Sequence, residues 1–297
     1  MGDDFPVQRC VNLDQALEAP REGDWGYTIA RGDIAWIAAQ GFDTVRLPVR
    51  FHAYWDDGLD PAILARVDEV IGWAMEDGLQ VILDLHHFEP LMDDPSTYGP
   101  TFQAIWTVLS DHYAGYDDAL IFELLNEPSK ELDTAGAVTL FEAVWPDIRA
   151  DHPDRWIVIE GGWWSHHNQL PDLPLFDART ALSFHYYGPW EFTHQQATWL
   201  DNPPPPASWG SRADWNTLRR DFADAAGRDA PLFLGEFGVT EQTAPDERAE
   251  WIGAVRETAE THGIGWCHWG FAGGFKLFDP ATQDWVPGMS PALLGQP

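Results

Sequence analysis

Residues 61–87 read PAILARVDEVIGWAMEDGLQVILDLHH, which is one complete structural unit. Ile63, Val67, Val70, Ile71 and Ala74 fall on one stripe at helical spacing, and Gly78 stops the helix as glycines commonly do. Gln80–Leu85 follows as a short, nearly continuous apolar run, the pattern of a parallel strand covered on both faces. The run closes on two polar residues, His86 and His87. Helix, glycine stop, apolar strand and polar strand end therefore come in that order.

The same unit recurs on both sides. Strands are predicted at Arg9–Leu13, Thr44–Pro48, Gln80–Leu85, Leu120–Leu125, Trp156–Glu160, Ala181–Tyr186, Pro231–Glu236 and Ile264–Trp269. Helical patterns fill Thr28–Gln40, Pro61–Asp77, Thr101–Tyr113, Ala135–Ala150, Ser211–Ala226 and Pro245–His262. The crossover over 161–179 is short and proline-marked, so a broken helix is expected there, and the last helix is confined to Pro291–Leu294. Eight βα units without a linker point to an α/β fold, a closed (β/α)₈ or TIM barrel, as a single domain over residues 1–297. An open doubly wound sheet is the alternative, but no glycine-rich phosphate loop follows the first strand.

The 297 residues carry 17 basic and 48 acidic side chains, a net charge of −31, which excludes a nucleic-acid partner because phosphate binding needs clustered Lys and Arg. Only Lys130 and Lys276 are lysines. Adaptation to high salt and a bias towards arginine both account for this pattern. No apolar run approaches the length of a membrane span, so no membrane partner is expected. Met1–Arg9 lacks the form of a signal peptide. The expectation is a secreted protein whose signal precedes this chain, with a cytoplasmic one as the alternative. Cys10 and Cys267 each fall in an apolar run and are expected as buried free thiols. Tryptophan is in excess, at 17 residues, and Trp25, Trp55, Trp163, Trp164, Trp190, Trp199 and Trp209 lie in loop-like sequence. Exposed indoles at that density suit sugar rings, whose axial C–H faces stack on aromatic planes. Trp36, Trp73, Trp106 and Trp145 lie on helical patterns and are expected to pack on the barrel, while His52, His112, His152, His166 and His262 are expected at the surface.

In such a barrel, chemistry sits at the C-terminal ends of strands. Those ends supply Arg46, His86, His87, Asn126, Glu127, His185, Tyr187, Glu236 and Trp269. Polar groups closing apolar strands break the binary pattern, as functional sites do. Glu127 and Glu236 end the fourth and seventh strands and face each other across the barrel mouth. Paired carboxyls across a cleft are what glycoside hydrolysis needs: one donates a proton to the leaving oxygen, the other attacks or activates water. Arg46, with Tyr187 as a further donor, is expected to keep one of them ionised, while the other, shielded by aromatic rings and facing an anion, holds its proton near neutrality. Spacing alone leaves open which is which.

Seven stretches in order resemble glycoside hydrolase family 5, the retaining endo-β-glycanases: Ala16-Leu-Glu-Ala-Pro with Glu22-Gly-Asp-Trp-Gly, Arg46-Leu-Pro-Val, Leu85-His-His, Leu125-Asn-Glu-Pro, His185-Tyr-Tyr, Gly235-Glu-Phe-Gly, and Trp266-Cys-His-Trp leading to Gly274-Phe-Lys-Leu-Phe-Asp. The similarity is nearest to a bacterial branch cutting β-1,4-glucans and sometimes β-mannans. It implies Glu127 as acid/base, Glu236 as nucleophile and Asn126 on the sugar 2-hydroxyl, with Arg46, His185 and Tyr187 orienting and charge-tuning the two carboxylates. It implies His86 and His87 on sugar hydroxyls, Trp269 beneath the reacting ring, and Glu18, His194 and Trp199 at the neighbouring subsite; Trp25 joins the substrate-binding set. Asp14-Gln15 stands where that branch usually has Gly-Asn, so Gln15 is expected to take over an asparagine's contact, and Lys276 stands where glycine is common.

The implied function is endo-hydrolysis of β-1,4-glucan, with mannan, mixed-linkage glucan or xyloglucan as alternative substrates. No cofactor is expected and the partner is the polysaccharide, bound by a monomer. No metal is expected either, because adjacent strand residues such as His86 and His87 point to opposite faces and no ligand motif accompanies them. A non-catalytic carbohydrate-binding barrel predicts a damaged acid pair, and a metal-dependent barrel hydrolase or isomerase predicts sensitivity to chelators.

Overall fold

In a computed structural model of the protein, which describes residues 5–295, eight parallel strands close into a barrel. They are β1 (Arg9–Asn12), β2 (Thr44–Val49), β3 (Gln80–Leu85), β4 (Leu120–Glu123), β5 (Ile157–Glu160), β6 (Thr180–Tyr186), β7 (Leu232–Phe237) and β8 (Gly265–His268). Each pairs with its neighbour in sequence, and β1 pairs with β8 to close the ring. The chain is thus a TIM barrel in one domain.

The long helices form the outer layer: Arg31–Gln40, Pro61–Glu76, Pro95–Tyr113, Thr134–Asp151, Arg212–Ala226 and Pro245–Thr261. Local chemistry sets their ends. Asp60 and Asp133 cap the second and fourth by accepting from the amides of Ala62 and Gly136, both at 2.8 Å. Gly41 ends the first with φ 90°, a conformation that favours glycine. The third starts at Pro95, earlier than Thr101, because Asp94 caps it through the Thr97 amide; Pro100 lies inside. The crossover after β5 is broken as expected, into Gly162–Ser165 and a 3₁₀ turn over His167–Asp172.

Two layers fill the barrel. The lower is apolar: Cys10, Ile82, Ile121, Val158, Ala181, Phe233 and Cys267 cluster together, plugged from below by Phe5, Val7 and Trp156. Two residues further along the strands, hence on the same face, come Asn12, Arg46, Asp84, Glu123, Glu160 and Ser183, all buried. The site stands on this polar layer.

Cys10 and Cys267 are joined in a disulfide and are not free thiols. The closing register places them opposite each other on β1 and β8, with Cα atoms 4.1 Å apart. Barrel closure brings together residues 257 positions apart in sequence. His152 is not at the surface either: it is buried, with its ring between Arg155 Nε at 3.0 Å and the Ser110 carbonyl at 3.0 Å. Trp209 is buried against Trp215, and Trp55 is half-buried.

Candidate active site

At the C-terminal end of the strands lies an open cleft of about 1290 Å³. That exceeds the roughly 300–1,000 Å³ of a pocket for one compact ligand and suits a chain of linked rings. Glu127, Glu236, His185, Tyr187, His86, His87, Trp269, Glu18, Gln15, His194, Trp199 and Trp25 all line it. Arg46 and Asn126 lie buried beneath its floor. The structure therefore brings every sequence-predicted site residue to one place. Five tryptophans, Trp25, Trp163, Trp164, Trp190 and Trp199, are 40% or more exposed, and all five line the cleft.

Arg46 organises the floor. Its Nε and Nη2 donate to the two oxygens of Glu123, each at 2.8 Å. Nη1 donates to Asn12 at 2.8 Å and to Glu236 Oε1 at 3.0 Å, while Nη2 reaches Asn126 Oδ1 at 2.7 Å and lies 3.0 Å from Asp84. Tyr187 donates its hydroxyl to Glu236 Oε2 at 2.9 Å. Both oxygens of Glu236 are thus engaged, which fixes the carboxyl in one orientation.

Glu236 reaches this position through a shift in register. Phe184 pairs with Leu234 but His185 pairs with Glu236, so Gly235 is the extra residue of a bulge. A Cβ at Gly235 would sit 2.5 Å from Ser183 Oγ and 3.0 Å from His185 Nε2, so glycine is what lets the imidazole in. Glu127 is placed differently. It leaves β4 in the left-handed region at φ 47°, where its amide donates to Glu160 Oε2 at 2.7 Å, and its Oε1 meets His185 Nδ1 at 2.8 Å. The oxygens of Glu127 and Glu236 and the His185 nitrogen approach within 4.8 Å of one another.

The electrostatics depart from expectation. Burial pushes Glu236 up to about 7; His185 and Arg46 pull it down, while Glu127 and Glu160 push it up. Arg46 favours the ionised form of Glu236, but its single charge is shared with Asp84 and Glu123, and burial outweighs it. Glu123 is likewise raised by burial to about 7, and Asp84 goes well up. His185, despite burial, is raised well above the usual imidazole range by Glu160 and Glu236, and Glu160 is held low by the same imidazolium.

His86 and His87 also break a rule. Their rings are 4.3 Å apart and both face the cleft, because β3 has ended and His87 turns left-handed at φ 51°. His86 hydrogen-bonds Asp84 at 2.5 Å through Nδ1 and lies parallel to Trp269, 5.5 Å between centroids. Across the cleft His194 stacks on Trp190 at 3.4 Å. Glu18 accepts from the amides of Gln15 and Ala16 and is raised by burial, then by Asp14, to about 8. Asp14 accepts from the amides of Ala272 and Gly273 at 2.9 and 3.1 Å, while Gln15, left-handed at φ 64°, lines the cleft. Lys276 lines the cleft too, paired with Glu241 at 2.7 Å.

Two sets among the described residues, Glu123–Glu160–His185 and Glu127–His185–Glu236, have ligand atoms close enough for a metal ion. Oxygens of all four carboxyls in these sets are already in contact with Arg46 or His185. Sequence reasoning missed Asn12, Asp84, Glu123 and Glu160. The available signal was parity: each of the three acids stands two residues beyond an inward apolar residue.

Residues 11–273 match the family Cellulase (glycosyl hydrolase family 5). Endoglucanase H of Acetivibrio thermocellus is 28% identical over 272 residues, covering 87% of this chain but only 29% of that protein's length. Among solved structures, a hyperthermophilic endo-β-1,4-glucanase in complex with substrate is 34% identical, with a TM-score of 0.94 over 98% of this chain and 97% of that one. Thermotoga maritima Cel5A in complex with cellobiose is 31% identical, with a TM-score of 0.92 and 97% of each chain covered; the same protein is also solved with mannotriose.

Proposed function

The chain belongs to glycosyl hydrolase family 5, and from that premise we propose that it is a retaining endo-β-1,4-glucanase working through Glu127 and Glu236. The observation that carries the reading is the approach of the two carboxyls, with oxygens within 4.8 Å across one aromatic-walled cleft. Retaining glycosidases hold their carboxyls about 5–5.5 Å apart, whereas inverting ones need about 6.5–9.5 Å to admit a water.

Glu236 is the nucleophile, because both its oxygens are aimed by donors, Arg46 and Tyr187, that stabilise negative charge. Glu127 is the acid/base: its side chain is 26% exposed against 6% for Glu236, so it can meet both the leaving oxygen and the incoming water. In the first step a Glu236 oxygen bonds to the anomeric carbon, the glycosidic C–O bond breaks, and the Glu127 proton passes to the departing oxygen. In the second, a water gives its proton to Glu127, its oxygen bonds to the anomeric carbon, and the ester to Glu236 breaks. His86, His87, Trp269, Glu18, Gln15, His194, Trp199 and Trp25 hold the sugar chain, and Asn126 serves the 2-hydroxyl. Mannan is the second reading, favoured by the structure of T. maritima Cel5A with mannotriose. The Cys10–Cys267 disulfide supports export to an oxidising environment, and recovery of the native protein with both thiols free would overturn this.

Azide tests the roles. Glu236→Gly with azide should give an α-glycosyl azide and Glu127→Ala the β-anomer; swapped products reverse the assignment. Activity on carboxymethylcellulose, barley glucan, xyloglucan, xylan and glucomannan, with product sizing, decides the substrate. EDTA should leave the rate unchanged, and its loss on chelation would point to a metal enzyme.

A further inference from the structure

Glu160 ends β5 fully buried and does not line the cleft, yet it makes four contacts that converge on the leaving-group side. Oε2 accepts from the Glu127 amide at 2.7 Å and from the Ser165 hydroxyl. Oε1 accepts from Ser183 Oγ at 3.0 Å and lies 2.9 Å from His185 Nε2, an ion-pair contact. The other ring nitrogen of His185 is bonded to Glu127 Oε1. One carboxylate therefore grips Glu127 twice, through its backbone and through the imidazole that holds its side chain.

Both segments it grips are in costly backbone conformations. Glu127 is left-handed at φ 47°, and Trp163, Trp164 and Ser165 are three consecutive non-glycine residues at φ 57°, 55° and 53°. Such conformations are costly for residues with a Cβ and persist only when their surroundings over-determine them. Glu160 supplies that constraint at both ends, to the Glu127 amide and to Ser165 next to the two exposed indoles.

We propose that Glu160 is a positioning residue for proton transfer, setting where the Glu127 carboxyl meets the leaving oxygen relative to the Trp163–Trp164 wall. It acts through Glu127 and touches no substrate. The inference rests on Glu127 being the acid/base.

The test is the dependence of kcat/KM on the leaving group, since this ratio reports the first bond cleavage alone. Dinitrophenolate departs without a proton, whereas phenolate needs one. Glu127→Ala is the reference and should lose far more on phenyl β-cellobioside than on 2,4-dinitrophenyl β-cellobioside. Glu160→Gln should show the same split, losing about 100-fold on the phenyl substrate and under about fivefold on the dinitrophenyl one, at the low end of what general acids contribute. A structural role would depress both equally, and equal losses for Glu160→Gln beside a split for Glu127→Ala overturn the inference while leaving the acid/base reading intact. No split for Glu127→Ala overturns that reading and this one with it. If Glu160→Gln does not fold, Ser165→Ala, which keeps every charge, decides by the same ratio: a split of about threefold supports the inference and an equal loss overturns it.

Discussion

At the scale of single residues, burial keeps protons on acids in and beneath the cleft, the proposed nucleophile among them. Glu236 and Glu123 both ionise near 7, and a nucleophile works only when ionised, so kcat/KM should rise with pH through about 7. Tyr187→Phe removes a hydrogen bond that favours the carboxylate, so the acidic limb should move to higher pH, with kcat/KM down about tenfold in neutral buffer. A pH profile of the variant that overlays the parent contradicts this role for Tyr187. Asp14 offers a second residue-scale check. A Cβ on Gly270 or Gly273 would overlap its carboxylate, which is seated on the backbone of that turn. Gly273→Ala should cost about 1–3 kcal/mol by overpacking, read as a fall in denaturation midpoint. Unchanged stability would show that the turn yields.

At the scale of elements, the barrel strands and long helices were legible because their apolar runs and stripes are clean and many end on glycine, proline or a capping side chain, although the third helix starts at Pro95, six residues before the apolar pattern does. The strand ends were legible as a site because His86, Asn126, Glu127, His185 and Glu236 interrupt apolar runs. The acids one layer below were not. Asp84, Glu123 and Glu160 each sit singly among apolar neighbours, and a lone acid within such a run reads as tolerated. Only with inward parity imposed, through Ile82, Ile121 and Val158, do they line up as a charged layer. His87 escapes the alternation rule because that rule holds within a strand and lapses once the backbone turns left-handed. The disulfide was missed because the register between the first and last strands exists only after closure. Its contribution is measurable: Cys10→Ser should lower stability by about 2–5 kcal/mol, the usual loss when a native bridge is removed. Equal melting temperatures with and without a reductant would show that the bridge contributes nothing.

At the scale of the molecule, charge should govern stability. Asp14 is raised to about 6, Glu123 and Glu236 to about 7 and Glu18 to about 8, so the folded chain keeps protons that the unfolded chain has released. Stability from these groups is complete below their unfolded values, near 4, and is lost as pH climbs through 6 to 8. His185, also raised, loses its contribution as pH rises further; Glu160, held low, loses its own only in acid. Thermal melts should peak in mild acid and decline steadily to pH 8. The charge of −31 adds self-repulsion that molar salt screens, so sodium chloride should raise the melting temperature, most of all on the alkaline side. A melting temperature indifferent to salt removes the case for a salt-adapted surface.

The gathering of every well-exposed indole into one groove has an optical consequence. Of 17 tryptophans, the five that see most water all face the substrate path, so a bound oligosaccharide strips solvent from them together. Ligand occupancy should thus be readable as a blue shift of intrinsic emission, without label or turnover, even in variants whose chemistry has been silenced.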